Sequence, residues 1–341
     1  MKIVVSGSTG LVGSALTPVL ASLGHDVVPL VRRRPAAGEG GVVAWDPERG
    51  MIDCDGLEGI DVAIHLAGEN VFGRWSAAKK QRIRESRVQG TRLLSDALAG
   101  LTRPPKTLLA ASAIGYYGDR GDEAVSEWSA PGEDFLAYVS RDWEGATTPA
   151  ARAGIRVVNM RFGVVLTTAG GALAKMLPAF RLGLGGRVGS GNQYLSWIML
   201  DDALNAIVHG LATPRLVGPV NLTAPNPVTN REFTRTLGKV LRRPAVLTDV
   251  GTLRTSMYAA AEAGGATVVG EEFFVFPNGA VTGVLVLAQS HLSIHTWPEL
   301  SLANVDLLSY GELRGDVVLR VLEERLDVER MNVTCIERAV G

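Results

Sequence analysis

Lys2-Ile3-Val4-Val5-Ser6-Gly7-Ser8-Thr9-Gly10-Leu11-Val12-Gly13 opens the chain and decides its fold. The β-branched run Ile3-Val4-Val5 is too short for a helix and reads as a buried strand. It meets a G-x-x-G-x-x-G turn that runs directly into the helix-period stretch Leu11–Leu23. Strand, glycine turn and helix in that order begin a βα alternation. Without Cβ atoms at Gly7 and Gly10, backbone N–H groups can approach a pyrophosphate at the positive end of the helix, and Gly13 lets helix and strand pack closely. Gly7, Ser8, Thr9, Gly10, Leu11, Val12 and Gly13 are therefore the candidate cofactor-binding residues. A merely tight turn would use the same glycines; the strand before and the helix after favour a dinucleotide.

The same rhythm continues to about Leu247. Apolar runs at Asp26–Leu30, Asp61–Leu66, Lys106–Ala111 and Arg156–Leu166 are spaced by helix-period stretches at Ala77–Ala99 and Glu133–Ala153. Such runs predict a parallel sheet buried on both faces. The second strand ends in Leu30-Val31-Arg32-Arg33-Arg34, where an acid would bind a ribose 2′-hydroxyl. Guanidinium forks at Arg32 and Arg33 suit a 2′-phosphate instead and point to NADP(H), the plain alternative being a solvated charge run. Gly170 to Gly191 reads as a Gly-rich, basic loop region that starts a smaller lobe. After Thr248 the texture changes. Ala266–Phe276, Val281–Trp297, Val305–Ser309 and Asn332–Ile336 read as strands with hairpin-like turns, and Asp316–Leu326 as one amphipathic helix. The expected architecture is α/β at residues 1–247, followed at 248–341 by a smaller α+β antiparallel-sheet module.

Composition agrees and excludes other classes. A length of 341 residues favours two domains, and 46% hydrophobic with 20% charged residues is ordinary for a folded globular chain. The 34 Lys and Arg nearly balance the 35 Asp and Glu, so neither nucleic acid nor an anionic membrane is an expected partner. The two cysteines, Cys54 and Cys335, follow no metal or redox spacing, and no apolar stretch reaches membrane-span length. A reducing, cytoplasmic setting without a metal is expected, with small-molecule substrates.

Residues 1–247 resemble the atypical short-chain dehydrogenase/reductase family often labelled sugar-nucleotide epimerase-like. Beyond the glycine turn, the carrying segments are His65-Leu66-Ala67-Gly68-Glu69, Ser112-Ala113-Ile114-Gly115-Tyr116-Tyr117-Gly118, Gly171-Ala172-Leu173-Ala174-Lys175-Met176-Leu177-Pro178 and Asn221-Leu222-Thr223-Ala224-Pro225-Asn226-Pro227-Val228. The resemblance implies a Rossmann-like fold and an NADP-type cofactor, adds Ala67 and Gly68 to its binding set, and implies a redox or epimerase role. Better-characterised relatives use a strand-end Ser with a Tyr-x-x-x-Lys helix motif, because Lys and cofactor lower the Tyr pKa. Ser112 matches the serine. Tyr138 is the candidate acid/base, but Asp142 stands where Lys is expected, and Arg141 is the cation nearby. Lys79, Lys80, Arg82, Arg84 and Arg87 crowd one helix and read as a solvated face or as a contact for an acidic substrate.

Gln289-Ser290-His291-Leu292-Ser293-Ile294-His295-Thr296-Trp297-Pro298-Glu299 is the second unusual string. As a strand it places His291, Ser293, His295 and Trp297 on one face and Leu292, Ile294 and Thr296 on the other. With Ala263–Gly270 before it and Val305-Asp306-Leu307-Leu308 after it, it resembles the bacterial and archaeal S-adenosylmethionine decarboxylase proenzymes. The resemblance implies that Ser290 attacks its preceding backbone carbonyl and becomes an N-terminal pyruvoyl group, a Schiff-base-forming electron sink for decarboxylation in polyamine synthesis. His295 would move the proton that elimination needs. Tyr310 stands in the place of the expected Cys and is a weaker acid at neutral pH. Relatives form their active sites between protomers, so a homodimer is expected.

The combined reading is a fusion of an NADP-dependent oxidoreductase or epimerase with a self-cleaving, pyruvoyl-dependent decarboxylase-like module. Its alternatives are one active module alone, or an NADP-binding sensor or scaffold with an inactive tail.

Overall fold

The chain is described by a computed structural model covering residues 1–32, 41–182, 185–241, 250–288, 290–298, 302–309, 313–326, 328 and 330–336. Arg33, Gln289, Tyr310 and the expected 247/248 boundary lie outside the described residues.

Alternating strand and helix sequences fold as alternating strands and helices because both sheet faces are covered. The strands are β1 (Lys2–Ser6), β2 (Asp26–Val31), β3 (Val43–Asp46), β4 (Met51–Ile52), β5 (Val62–His65), β6 (Thr107–Ala113), β7 (Arg156–Phe162), β8 (Val164–Thr167), β9 (Tyr194–Leu195), β10 (Trp197–Met199), β11 (Gly218–Leu222) and β12 (Val228–Thr229). Interleaved with them are α1 (Leu11–Ser22), α2 (Cys54–Leu57), α3 (Ala77–Ala99), α4 (Phe135–Gly145), α5 (Thr148–Arg152), α6 (Gly171–Arg181), α7 (Leu200–Ala212) and α8 (Asn230–Val240). One sheet runs β11-β7-β6-β5-β1-β2-β3-β4, parallel throughout except for β4 against β3. Ile3 and Val5 of β1 pack with Leu16 and Leu20 of α1 and Leu204 and Ile207 of α7. Val4, between them, packs with Leu94 and Leu98 of α3. The chain winds outward from β1 one way and from β5 the other, so the carboxyl ends of β1 and β5 form the crevice where such sheets bind ligands.

The second module is a meander, β13 (Val268–Val275), β14 (Val281–Leu287), β15 (Ser290–Trp297) and β16 (Leu302–Leu308), antiparallel at every step. Its core joins Leu253, Met257 and Ala260 of α9 (Val250–Ala263) and Val318 and Leu322 of α10 (Gly315–Leu326) to Leu285, Leu292 and Ile294 of the sheet. The compact units are Met1–Lys175 with Gln193–Val228, and Met176–Asn192 with Thr229–Gly341.

Several expected elements change. Arg156–Leu166 breaks into β7 and β8 at Gly163, where a Cβ would sit 2.8 Å from the Ser196 carbonyl oxygen. Glu133–Ala153 divides into α4 and α5, with a proline in the first turn of α5, where a missing N–H costs least. The expected loop from Gly170 holds α6, because Ala172 to Leu177 are strong helix formers. Val281–Trp297 folds back as the hairpin β14–β15. Asn332–Ile336 is not a strand: Val333 and Ile336 are exposed, and residues 331–336 are irregular. An apolar pair with no face to bury earns no ladder. Cys54 and Cys335 are free thiols, and no described helix is long and apolar enough to cross a membrane.

Candidate functional site

Gly7 takes φ +70° as β1 ends, and a Cβ there would lie 2.8 Å from the Ala67 nitrogen. One on Gly13 would lie 2.8 Å from the Gly7 carbonyl carbon and 2.9 Å from the Ser8 Cα. The turn is thus closed against both the β5 loop and its own helix, and only glycine fits. Helix α1 starts at Gly10 with no side-chain cap and no acid in its first turn. Its N–H donors and positive dipole end stay available to an anion. These residues fit a dinucleotide diphosphate, with Ala67 and Gly68 forming the opposite lip.

A buried chain of hydrogen bonds fixes that lip. Ser6 Oγ accepts from the Leu66 and Ala67 N–H groups at 3.1 and 3.3 Å, so its own hydrogen goes to His65 Nδ1 at 2.6 Å. His65 Nε2 therefore carries the proton and donates to Thr91 Oγ1 at 2.9 Å, which also accepts from Trp143 Nε1 at 2.8 Å. Burial pushes the His65 pKa down to about 4.

Beyond the lip, Glu69 gathers cations. Lys79 donates to it at 2.6 Å and Arg82 lies at 3.8 Å. The Lys79 hydrogen bond holds the Glu69 carboxyl below its usual range, helped by the charges of Lys79, Arg82 and Arg32. Arg32 itself is exposed just past β2. Arg84 pairs with Asp142 at 2.9 Å, and Lys80 lies over the Phe135 ring. Most of the basic face of α3 is thus paired within the protein rather than simply solvated.

Ser112, at the end of β6, is buried and donates to Glu144 Oε1 at 2.6 Å. Glu144 receives a two-pronged bond from Arg161 of β7, Nε at 2.8 Å and Nη2 at 2.9 Å, with the two side chains 12% and 2% exposed. Arg161 Nη1 donates to Tyr117 Oη at 2.9 Å, and Tyr117 donates to Asn221 Oδ1 at 2.6 Å. The Arg161 guanidinium also stacks on Tyr116, 3.6 Å from its ring centre. Burial opposes the Arg161 charge, but the bonds to Glu144 and Tyr117 outweigh it and raise its pKa above the usual range. Sequence reasoning singled out neither Glu144 nor Arg161. A charge near the end of a buried parallel strand was the signal, since it demands a buried partner. Tyr138 lies on α4, 45% exposed, with Arg141 stacked on its ring. Among the described residues its hydroxyl has no hydrogen-bond partner, so Ser112 and Tyr138 are not drawn into one network.

In the second module Ser290 pairs with Leu287 where β14 turns into β15. Among the described residues it is the one non-glycine with positive φ, 152°. Such a conformation costs on the order of 1–3 kcal/mol and persists only where the surroundings impose it. The imidazole beside its hydroxyl is His291, Nδ1 at 3.3 Å, whose Nε2 reaches Asp306 at 3.2 Å. His295 is held by Thr282, its cross-strand partner, at 2.9 Å. Ser293 is buried, and the expected alternation of faces holds for Leu292, Ile294 and Thr296. No cluster of metal-ligating side chains occurs among the described residues.

Comparison with known proteins finds two family matches along the chain. Residues 3–222 match the family model described as NAD dependent epimerase/dehydratase, and residues 239–339 match that described as S-adenosylmethionine decarboxylase. The Epimerase family protein Mb2239 of Mycobacterium bovis is 48% identical over 246 residues, 72% of this chain and 80% of that protein. The crystal structure of human epimerase family protein SDR39U1 (isoform 2) with NADPH is 35% identical, with a TM-score of 0.65 over 72% of this chain and 81% of that one. A nucleoside-diphosphate sugar epimerase from Corynebacterium glutamicum is 41% identical over 71% of this chain with a TM-score of 0.62, and the match spans about half, 51%, of that protein.

Proposed function

This chain belongs to the NAD dependent epimerase/dehydratase family, and on that premise we propose that residues 1–247 bind NADP(H) for an oxidoreductase or epimerase reaction on a small molecule. The single observation that carries this is the uncapped start of α1 over a turn that any Cβ would fill. Gly7 to Gly13 would hold the diphosphate, Ala67 and Gly68 the opposite side, and Arg32 with Arg33 the 2′-phosphate. The NADPH in the human relative's structure supports the cofactor choice. Bound there, the nicotinamide supplies or accepts hydride. When a substrate hydroxyl is oxidised, the Ser112 oxygen takes its proton as the Ser112 hydrogen passes to Glu144, the reverse transfer serves reduction, and Arg161 fixes the carboxylate in place with two bonds. Tyr138 remains the alternative proton donor.

NADPH titrated into the protein and followed by fluorescence should bind at least tenfold more tightly than NADH. Gly13→Val should abolish binding while leaving the chain folded as judged by circular dichroism. If neither nucleotide binds the wild type, the proposal fails.

A second reading concerns residues 248–341, and the backbone strain at Ser290 supports it. We propose that this decarboxylase-like module cuts itself there. The Ser290 oxygen attacks the carbonyl carbon of residue 289 and the amide bond gives way to an ester; elimination then releases residue 289 as a carboxylate and leaves dehydroalanine at position 290, whose imine tautomer takes up water, loses ammonia and becomes the pyruvoyl group. His291, its other nitrogen held by Asp306, takes the hydroxyl proton, and His295, oriented by Thr282, serves the elimination. Tyr310 is the candidate acid of the decarboxylation. A homodimer is the expected assembly. It is supported by exposed Val286, Trp297, Leu302 and Leu308, whose alternation places them opposite the face that packs on α9 and α10. Denaturing intact-mass spectrometry should find two fragments from the wild type, the second starting with a pyruvoyl mass at position 290, and one uncut chain from Ser290→Ala. A single wild-type mass sinks this second reading. NADPH affinity without hydride transfer, together with an uncut chain, would favour the sensor or scaffold.

A further inference from the structure

A hydroxyl, an imidazole and a carboxylate stand in one hydrogen-bonded row where β15 begins. Ser290 Oγ lies 3.3 Å from His291 Nδ1, and His291 Nε2 lies 3.2 Å from Asp306 Oδ2 on β16. An ionised carboxylate only accepts, so Nε2 carries the imidazole hydrogen and Nδ1 presents its lone pair to the Ser290 hydroxyl. Ser290 itself holds φ 152°, a setting that a non-glycine residue keeps only where its surroundings impose it. The row is within reach of solvent, the His291 and Asp306 side chains being 35% and 66% exposed. Val286 and Leu308, both exposed, are the cross-strand partners of His291 and share its face of the sheet. An apolar wall therefore stands on each side of the imidazole.

Nucleophile, base and a third group that orients the base are the parts of acyl transfer, recognised by their geometry and not by fold or chain order. Strain at the nucleophile is a companion feature, since a sharp turn exposes the hydroxyl to an incoming acyl carbon. Ser290, His291 and Asp306 combine all of these.

We propose that, in chains whose Ser290 is intact, Ser290, His291 and Asp306 hydrolyse small carboxylic esters with an apolar acyl group. The Ser290 oxygen bonds to the ester carbonyl carbon as its hydrogen passes to His291 Nδ1. The bond to the alcohol oxygen breaks, and the alcohol leaves with that hydrogen. Water then adds to the acyl carbon and gives a proton to Nδ1. The bond to Ser290 breaks, the serine oxygen takes that proton, and the carboxylic acid departs. Ester and water become acid and alcohol, with no change of oxidation state. Asp306 is a positioning residue that holds the tautomer leaving Nδ1 free, and Val286 and Leu308 seat the acyl group. This activity goes beyond the self-cleavage reading, which spends the same hydroxyl on its own chain, and does not depend on it.

The test uses the full chain carrying His295→Ala, which keeps Ser290 in place. Elimination is assigned to that imidazole, and without it the ester reverts to the amide. His295→Gln takes its place if circular dichroism shows that the alanine variant does not fold. This chain should turn over p-nitrophenyl butyrate. Adding Ser290→Ala or His291→Gln should lower the rate at least about a hundredfold, and adding Asp306→Asn at least about tenfold. A fluorophosphonate probe should add its mass to the peptide that carries Ser290. It should do so more slowly in the folded Asp306→Asn chain, which a merely structural role for Asp306 would not bring about. Equal ester turnover with and without Ser290, or with and without His291, overturns the proposal. A Ser290 peptide that stays unlabelled overturns it equally. Self-cleavage is judged separately by the wild-type mass, so a single uncut chain sinks that reading and leaves this one standing.

Discussion

Arg161→Met will lower the unfolding free energy by about 3–5 kcal/mol, because it strands the Glu144 carboxylate in a buried site with only the Ser112 hydroxyl as donor. The methionine fills much of the arginine's volume, so the loss reports the uncompensated charge rather than a cavity. Against a typical total of about 5–15 kcal/mol this is a large fraction. Tyr117 also loses a donor to its hydroxyl, although its own bond to Asn221 survives. Adding Glu144→Gln removes the stranded charge and keeps an acceptor for Ser112. The double variant should therefore be more stable than Arg161→Met alone. Urea titrations of the two single variants, the double variant and the wild type supply the cycle. Additive losses would mean that the pair stabilises nothing jointly, and the network would then be dismissed as an organising element of the site.

Stability will fall by about 3 kcal/mol through His65 alone as pH drops from 6.5 towards 4. The sign follows from linkage. His65 has a pKa of about 4 when folded and 6.5 as its ordinary value, so below 6.5 the unfolded chain binds a proton that the folded chain refuses. The contribution is present above 6.5 and lost on acidification through that window, at about 1.4 kcal/mol per pH unit. The geometry gives the reason. Ser6 Oγ has already accepted two backbone hydrogens and can only donate to Nδ1, so a protonated ring would face a donor with a donor. His65→Gln removes this titration. Subtracting its stability curve from that of the wild type cancels the acid sensitivity shared by the carboxylates. A difference that stays flat from pH 7 to pH 4 would show that His65 does not carry it. The same bonds seat Ala67 at the cofactor lip, so acid should loosen that lip before the rest of the sheet.

The glycine turn was legible because local sterics dictate it. Gly7 needs a left-handed φ, and Gly13 needs contact with a turn six residues away, both within one βα unit. The parallel sheet was legible for a related reason, since strands covered on both faces have to be apolar along their length. The meander of the second module was legible only in part. Val281–Trp297 reads as continuous strand, and nothing local marks the reversal before Ser290, while Asn332–Ile336 has strand-like residues and no partner strand among the described residues.

The primary structure by itself determined a dinucleotide-type βα turn, a doubly covered parallel sheet, a second antiparallel module, and a serine with histidines on the strand that follows. Only the tertiary structure decided which charges meet. Ser112 with Glu144 and Arg161, and His291 with Asp306, join residues 17 to 32 positions apart or on different strands. It likewise gave Lys79 and Arg84 their carboxylate partners. Backbone conformation is set by each residue and its near neighbours. The worth of a charge is set by solvent exclusion and by partners delivered from other elements, and neither exists until the chain has packed.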